Sequence, residues 1–172
     1  LFDWTDPSNP VEIGYHDRGP VNPDRMEMGG SWSVYWYNGL IVNSEIARGL
    51  DIFELTPSPW LTQNEIDAAN TVRLDYLNAQ GQPMFKWPST FALAKAYLDQ
   101  LQRDNALGSD ALQAMRDGVA EAETSSDRAG LMQVAAMAER SAQSSDHADK
   151  MRALAGTLRD LAGSAGSMGS AY

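Results

Sequence analysis

The chain has 172 residues, 43% of them hydrophobic and 21% charged, with a formal net charge of −10 at pH 7. This composition is typical of a globular protein, and the length suffices for one ordinary domain or two small ones. The acidic balance argues against nucleic-acid binding, which needs clustered Lys and Arg. The sequence contains no run of 18 apolar residues, so it predicts no membrane span. Cysteine is absent, which excludes disulfides and cysteine-ligated metals.

The N-terminal region begins with Leu1–Trp4, which has the pattern of the end of a strand, followed by the turn-forming cluster Thr5–Pro10. Because the chain starts inside a strand-like run, we expect it to be a processed or cloned piece of a longer protein. We also expect this first strand to lack a hairpin partner. Val11–His16 alternates apolar and polar side chains and predicts a half-buried strand, and Asp17–Gly30 is rich in Gly and Pro and predicts an irregular loop.

The stretch Ser31–Leu55 predicts an antiparallel meander of three strands. Ser31–Tyr37 alternates, Asn38-Gly39 is a strong signal for a type I′ hairpin turn, Leu40–Val42 returns, and Gly49–Leu55 alternates again. Alternation in the first strand predicts Trp32, Val34 and Trp36 on one face and Ser33, Tyr35 and Tyr37 on the other.

After Pro57-Ser58-Pro59 the apolar period becomes helical. Thr62-Gln63-Asn64-Glu65 is a capping box. Five amphipathic stripes follow: Ile66, Ala69, Val72 and Tyr76; Phe91, Ala94, Leu98 and Leu101; Leu112, Met115, Val119 and Ala122; Leu131, Val134 and Ala138; Met151, Leu154, Leu158 and Leu161. The sequence predicts an α+β fold, with a small antiparallel β-meander followed by a four- to five-helix amphipathic bundle. The predicted divisions are residues 1–57, the helical residues 58–162 and a flexible Gly/Ser tail at 163–172.

A weak internal repeat links LFDWTDP at Leu1–Pro7 to IFELTP at Ile52–Pro57, at a spacing typical of propeller blades. The segments DPSNPVEIGYHDRGP and SWSVYWYNGLIVNSEIARGLDIFELTP resemble the C-terminal part of LVIVD-repeat proteins, which are exported bacterial proteins with propeller-like repeats. The resemblance implies that residues 1–57 form about one blade and that the protein is extracytoplasmic, either periplasmic or secreted. It implies no catalytic residue.

Eight residues are candidates for a partner interface because Trp and Tyr are common binding anchors and because Glu45 and Arg48 carry charge beside a turn. They are Trp4, Tyr15, Trp32, Tyr35, Trp36, Tyr37, Glu45 and Arg48. The aromatic residues could equally form a propeller core. Glu45 and Arg48 are better explained as a structural pair across a turn between two strands.

Two other functional classes stay open at this point. His16-Asp17-Arg18 and the loop carboxylates could serve a metal-dependent hydrolase, although their spacing matches no known calcium loop. The aromatic strip could bind carbohydrate or peptide. We assign no catalytic residue, cofactor or metal ligand from the sequence.

The sequence therefore predicts a non-catalytic structural or interaction protein. We expect an extracytoplasmic accessory subunit that docks on a larger envelope or membrane-associated assembly, or the severed end of a propeller that stays bound to its missing N-terminal part. The physical reason is that unpaired strand edges and uncovered aromatic faces recruit other chains.

Overall fold

A computed structural model of the protein describes residues 1–164. Its strands are β1 (Phe2–Asp3), β2 (Val11–Glu12), β3 (Ser31–Tyr37), β4 (Leu40–Glu45) and β5 (Gly49–Glu54). Its helices are α1 (Gln63–Asn70), α2 (Phe91–Arg103), α3 (Ser109–Ser125), α4 (Arg128–Ser141) and α5 (Ala148–Ser164), with short 3-10 turns at Ala79–Gly81 and Ala142–Ser144. This order of a small β region followed by five helices confirms the predicted α+β fold.

The first strand does have a hairpin partner, so the expectation that Leu1–Trp4 would lack one was wrong. β1 pairs antiparallel with β2. The Leu1 amino group donates to the Gly14 carbonyl at 2.8 Å, and the Ile13 N–H donates to the Leu1 carbonyl at 2.9 Å. The intervening turn cluster reverses the chain, because Asp and Pro residues favour turn geometry over extended backbone. The second strand is shorter than the predicted Val11–His16, since it ends at Glu12.

The predicted meander is confirmed as a separate three-stranded sheet with the order β3-β4-β5. Asn38 and Gly39 both have positive φ, 52° and 93°, as a type I′ turn requires. β4 is longer than the predicted Leu40–Val42 because it continues to Glu45. The β3–β4 register shifts between Ser31 and Ser33, so Trp32 lies at a bulge and leaves the regular alternation.

Side-chain caps mark the starts of three helices, and the cap of α1 is the predicted capping box. Thr62 and Glu65 form the reciprocal capping box of α1. Thr90 caps α2 and Asp127 caps α4. α1 is only eight residues long and ends at Asn70, so Tyr76 does not belong to its buried stripe and is 79% exposed.

The C-terminal boundary differs slightly from the prediction. α5 includes Gly163 and Ser164, the first two residues of the predicted tail, and the rest of that tail lies outside the described residues. Within residues 1–164, no helix combines the length and the apolar character that crossing a membrane requires.

The hydrophobic core belongs to the helices. Within residues 1–164, every buried apolar side chain lies between Ile66 and Ala162. The largest fully buried ones are Leu98, Leu101, Met115, Val119, Met151, Leu154 and Leu158, which come from α2, α3 and α5. These are the i, i+3 and i+4 positions of the predicted stripes. The three-stranded sheet contributes no fully buried apolar residue to this core.

The sheet is joined to the helical part mainly by polar contacts at its hairpin tip. The Asn38 side chain donates to the Leu74 carbonyl at 2.9 Å and accepts from the Leu74 N–H at 2.7 Å. Arg73 donates to the Asn38 carbonyl at 2.6 Å. A Cβ at Gly39 would lie 2.7 Å from Asn70 Oδ1, so the tip fits closely against the end of α1.

A network of half-buried charged groups fixes α1 against α2. Arg103 donates to both carboxylate oxygens of Glu65, at 2.7 and 3.1 Å. The Thr62 hydroxyl donates to Asp99 at 2.7 Å, and Arg116 of α3 donates to the other oxygen of Asp99 at 2.6 Å. The caps of α1 are therefore also its contacts to the bundle.

Candidate protein-interaction surface

One face of the three-stranded sheet carries three rows of side chains that cross all the strands. Residues that are directly opposite in an antiparallel pair share a face, so the strand register defines these rows. They are Ser33–Ser44–Leu50, Tyr35–Val42–Ile52 and Tyr37–Leu40–Glu54. We call this surface the outer face.

The outer face is largely apolar and lies open to solvent. Leu50 is 63% exposed, Ile52 58% and Tyr35 44%. Val42, between Tyr35 and Ile52, is half-buried. Single exposed apolar residues are common on protein surfaces, whereas a contiguous patch on a sheet indicates an interaction site.

The predicted interface residues of β3 divide between the two faces and the bulge. Trp32 at the bulge is 75% exposed. Trp36 lies half-buried on the opposite face, and Tyr37 is half-buried with its hydroxyl donating to the Asp75 carbonyl at 3.2 Å. Trp32 and Tyr35 therefore offer accessible rings, while Trp36 and Tyr37 contact their own chain.

The opposite face of the sheet lines a cleft of about 1030 Å³. Val34, Ile41 and Phe53 form its apolar floor, and the segment between residues 13 and 30 forms its other wall. The His16 ring lies 4.6 Å from the Phe53 ring, centroid to centroid, and Arg18 forms an ion pair with Asp51. We call the sheet surface that faces this cleft the inner face.

Glu45 and Arg48 organise the turn between β4 and β5. The Glu45 carboxylate is buried and accepts backbone N–H bonds from Gly30 at 2.6 Å, from Ala47 at 2.9 Å and from Arg48. The bond from Gly30 has the largest effect on the carboxyl. Together the three bonds outweigh desolvation and hold the pKa of Glu45 below its ordinary value. The Arg48 guanidinium donates to the Pro20 carbonyl at 2.9 Å. The two side chains thus stabilise local geometry separately, and the Glu45 carboxylate is not available at the surface.

Trp4 and Tyr15 lie away from the outer face. Trp4, 61% exposed, follows β1 and lies near Phe2, with a ring-centroid distance of 6.3 Å, beside a small cleft lined by Arg103 and Lys150. Tyr15 is 86% exposed in the segment that follows β2. The eight predicted residues therefore do not form one continuous surface.

Leu50 and Ile52 of β5 were missing from the predicted interface, although they are the most exposed residues of the outer face apart from its polar positions. The available signal was the period-2 alternation of β5, which places Leu50 and Ile52 on one side and Asp51 and Phe53 on the other. Only the strand register shows which of these sides joins Tyr35.

The polar groups of the inner cleft are mostly engaged with one another. Asp51 bonds to Arg18 and accepts from the Asn43 amide at 3.3 Å. Arg25 forms an ion pair with Glu27. In the part of the chain from residue 1 to 164, no three His, Asp or Glu side chains come close enough to hold a metal ion.

The fold and this surface define the class: a mixed α and β protein whose helices form the core and whose three-stranded sheet exposes an apolar face. Comparisons of the chain with protein-family models, with curated protein sequences and with solved structures found no match.

Proposed function

We propose that this is a non-catalytic interaction protein that docks on a larger protein assembly through the outer face of its sheet. The observation that carries the proposal is the exposure of Leu50, Ile52 and Tyr35 in adjacent cross-strand rows. A partner that covers this face would bury the apolar area that water now contacts, which is the main source of association free energy.

The lack of a packed layer on either face of the sheet supports the same proposal. Three strands need a packed hydrophobic face for independent stability. Here the inner face borders an open cleft, the outer face lies in solvent, and the hydrophobic core is formed by helices. A covering partner would supply the second layer that the sheet does not receive from the described residues.

The resemblance to LVIVD-repeat proteins and an extracytoplasmic location belong to this proposal. The internal repeat supports the resemblance, because each copy includes the end of a strand, although the two strands belong to separate sheets. Phe2–Asp3 form β1 and Phe53–Glu54 end β5, and in each copy Thr follows after one further residue. The assembly we propose is an envelope complex or the remainder of a propeller.

The test compares the wild-type chain with the double variant Leu50→Ser/Ile52→Ser in purification of its native complex from source cells. Fully burying one Leu or Ile is worth about 1.5–3 kcal/mol, and more than half of each side chain is still exposed. We therefore expect partner binding to weaken by about 2–3 kcal/mol, or about 30- to 150-fold.

The matched control is Met132→Ser, which removes a 48% exposed apolar side chain from α4, far from the sheet in the chain order. Covalent footprinting of the wild-type complex provides a direct readout, with reduced labelling of Leu50 and Ile52 expected. Equal partner recovery by both variants, with unchanged labelling of the outer face, would refute the proposal.

A further inference from the structure

The connection between α1 and α2 contains a short segment, residues 83–88, that exposes three large apolar side chains in succession. Its sequence is PMFKWP, and every residue from 81 to 88 is exposed. Met84 is 85% exposed, Phe85 39% and Trp87 48%. Single exposed apolar residues are common on protein surfaces, whereas a contiguous group of them indicates a surface that another molecule covers. This group lies outside the sheet and its outer face.

The backbone of the 83–88 segment is extended and free of hydrogen bonds. It contains neither a turn nor a bend. Within residues 1–164, none of its N–H or C=O groups has a hydrogen-bond partner. Both ends are nevertheless fixed, because the Gly81 N–H donates to the Asn78 carbonyl at 3.0 Å and the Ser89 hydroxyl donates to Asp160 at 2.8 Å. A segment that is already held extended loses less conformational entropy when it binds.

The two sides of the segment differ in exposure. Successive side chains of an extended backbone point in opposite directions, so Met84 and Lys86 share one side and Phe85 and Trp87 share the other. The two rings are partly covered by their own chain, whereas Met84 is almost fully exposed. The side that carries Met84 and Lys86 is therefore the one turned toward solvent.

Lys86 is a cation without a partner in a protein that engages nearly all its other cations. It is the only charged residue between Asp75 and Lys95. Of the 13 Lys and Arg side chains, only those of Lys86 and Arg140 form no ion pair or hydrogen bond within residues 1–164. Arg140 lies in the last turn of α4, where the helix dipole favours a cation. Lys86, beside Met84 and between two aromatic rings, has no such role in its own chain, so an external carboxylate is its natural complement.

The free backbone and the charge decide which kind of molecule covers the segment. Lipid hydrocarbon offers no partner to unpaired N–H and C=O groups, and an anionic membrane surface repels a chain with a net charge of −10. Two copies of this chain also repel each other, and one Lys in each segment does not offset that repulsion. A different protein can supply both backbone partners and a carboxylate.

We propose that a partner protein binds residues 83–88 as an extended peptide. The partner's backbone pairs with the free N–H and C=O groups of Met84 and Lys86, an apolar pocket covers the Met84 side chain, and a carboxylate meets Lys86. The pocket and the carboxylate are about 7 Å apart, since residues two apart in an extended chain are separated by that distance. This contact goes beyond the outer face and involves none of its residues.

Carbodiimide cross-linking of the native complex, purified from source cells with the full chain, tests the proposal. The reagent joins an amine to a carboxylate without a spacer, so mass spectrometry of the cross-linked peptides reports direct contact. We expect Lys86 to be joined to an Asp or Glu of one partner protein. Oxidative labelling of Met84 should be lower in the complex than in the isolated chain.

Variants of the segment measure its share of the affinity for the partner that the cross-link identifies. Lys86→Glu replaces a charge-assisted bond by a repulsion and should weaken binding by about 10- to 100-fold. Lys86→Arg keeps the charge, so it should retain the partner while losing the cross-link. Arg140→Glu is the matched control, an exposed free cation on α4, and should leave the affinity unchanged. Circular dichroism checks that each variant keeps its helices.

Three results would overturn this inference: no cross-link from Lys86 to another protein, equal effects of Lys86→Glu and Arg140→Glu, or unchanged labelling of Met84 in the complex. A Lys86 cross-link only to acids of a second copy, or wild-type binding to phosphatidylcholine vesicles that Met84→Ser abolishes, would likewise replace the proposed occupant. Failure here with partner recovery that still depends on Leu50 and Ile52 would leave the outer-face proposal standing. A Lys86 cross-link with recovery that ignores those two residues would remove only the outer-face proposal.

Discussion

Replacing Glu65 with Gln tests whether the charge network between α1 and α2 stabilises the fold. The Glu65 side chain is 7% exposed and the Arg103 side chain 19%, and two hydrogen bonds join them. Breaking a fully buried pair costs about 3–5 kcal/mol, whereas exposed pairs contribute about 0–1 kcal/mol. Because Gln keeps the capping acceptor and one partner is partly exposed, we expect a loss of about 1–2 kcal/mol at pH 7.

The pH dependence of this loss follows from the pKa of Glu65. Burial acts to raise the pKa, but the bonds from Arg103 and the Thr62 N–H outweigh it, and the pKa lies below the ordinary value of 4.5. A carboxyl with a lowered folded-state pKa stabilises the protein above its unfolded-state pKa. The difference between wild type and Glu65→Gln is therefore fully present above pH 4.5 and decreases as the pH falls through the folded-state value.

Urea denaturation followed by far-ultraviolet circular dichroism measures this, because the signal reports the helices. Asp149→Asn is the matched control, since Asp149 forms an exposed ion pair with Arg152 and should contribute less than about 0.5 kcal/mol. Equal losses for the two variants at pH 7, or a Glu65→Gln loss that persists undiminished at about pH 2.5, would refute the reasoning.

Three further predictions concern the core, the hairpin tip and the β4–β5 turn. Leu98→Ala, at a fully buried position, should lower the free energy of unfolding by about 3–4 kcal/mol. Ile52→Ala, on the exposed sheet face, should change it by less than about 0.5 kcal/mol. Equal losses would contradict a purely helical core. Gly39→Ala should lower the free energy of unfolding, measured by heat or urea, by about 1–3 kcal/mol, because φ is positive there and the new Cβ would lie 2.7 Å from the Asn70 side-chain oxygen. Gly156→Ala, in an open helical position, is the control and should be neutral or stabilising. Glu45→Gln should lower the hydrogen-exchange protection factors of the turn amides at pH 7. The wild-type protection factors, which correct for the slower intrinsic exchange in acid, should fall in the same way as the pH drops through the lowered pKa of Glu45. Unchanged protection factors in both would show that the carboxylate does not hold the turn.

Local signals explain why much of the fold was predictable. The Asn38-Gly39 dipeptide tolerates positive φ at both positions, so it specifies a tight hairpin whatever surrounds it. Thr62 and Glu65 satisfy each other's backbone N–H groups within one turn. Such signals act over a few residues and need no knowledge of tertiary contacts.

Other features depended on contacts between distant residues. The spacing of Tyr76 fits the first helix, but α1 ends at Asn70, and the residues that follow bond instead with the hairpin tip, Leu74 with Asn38. The pairing of β1 with β2 depended on the path of a turn with several possible geometries. The interface prediction favoured large aromatic residues and omitted Leu50 and Ile52, because residue type alone does not report exposure.

By itself the sequence determined the elements: the alternating strands, the hairpin turn, the helix starts and the apolar stripes, all of which follow from backbone conformation and side-chain periodicity. The tertiary structure alone decided which sheet face lies in solvent and where Glu45 and Arg48 form their bonds. The physical reason is that exposure and pairing depend on the relative placement of distant segments. A periodic pattern specifies that a strand has two different sides, but only packing decides what each side meets.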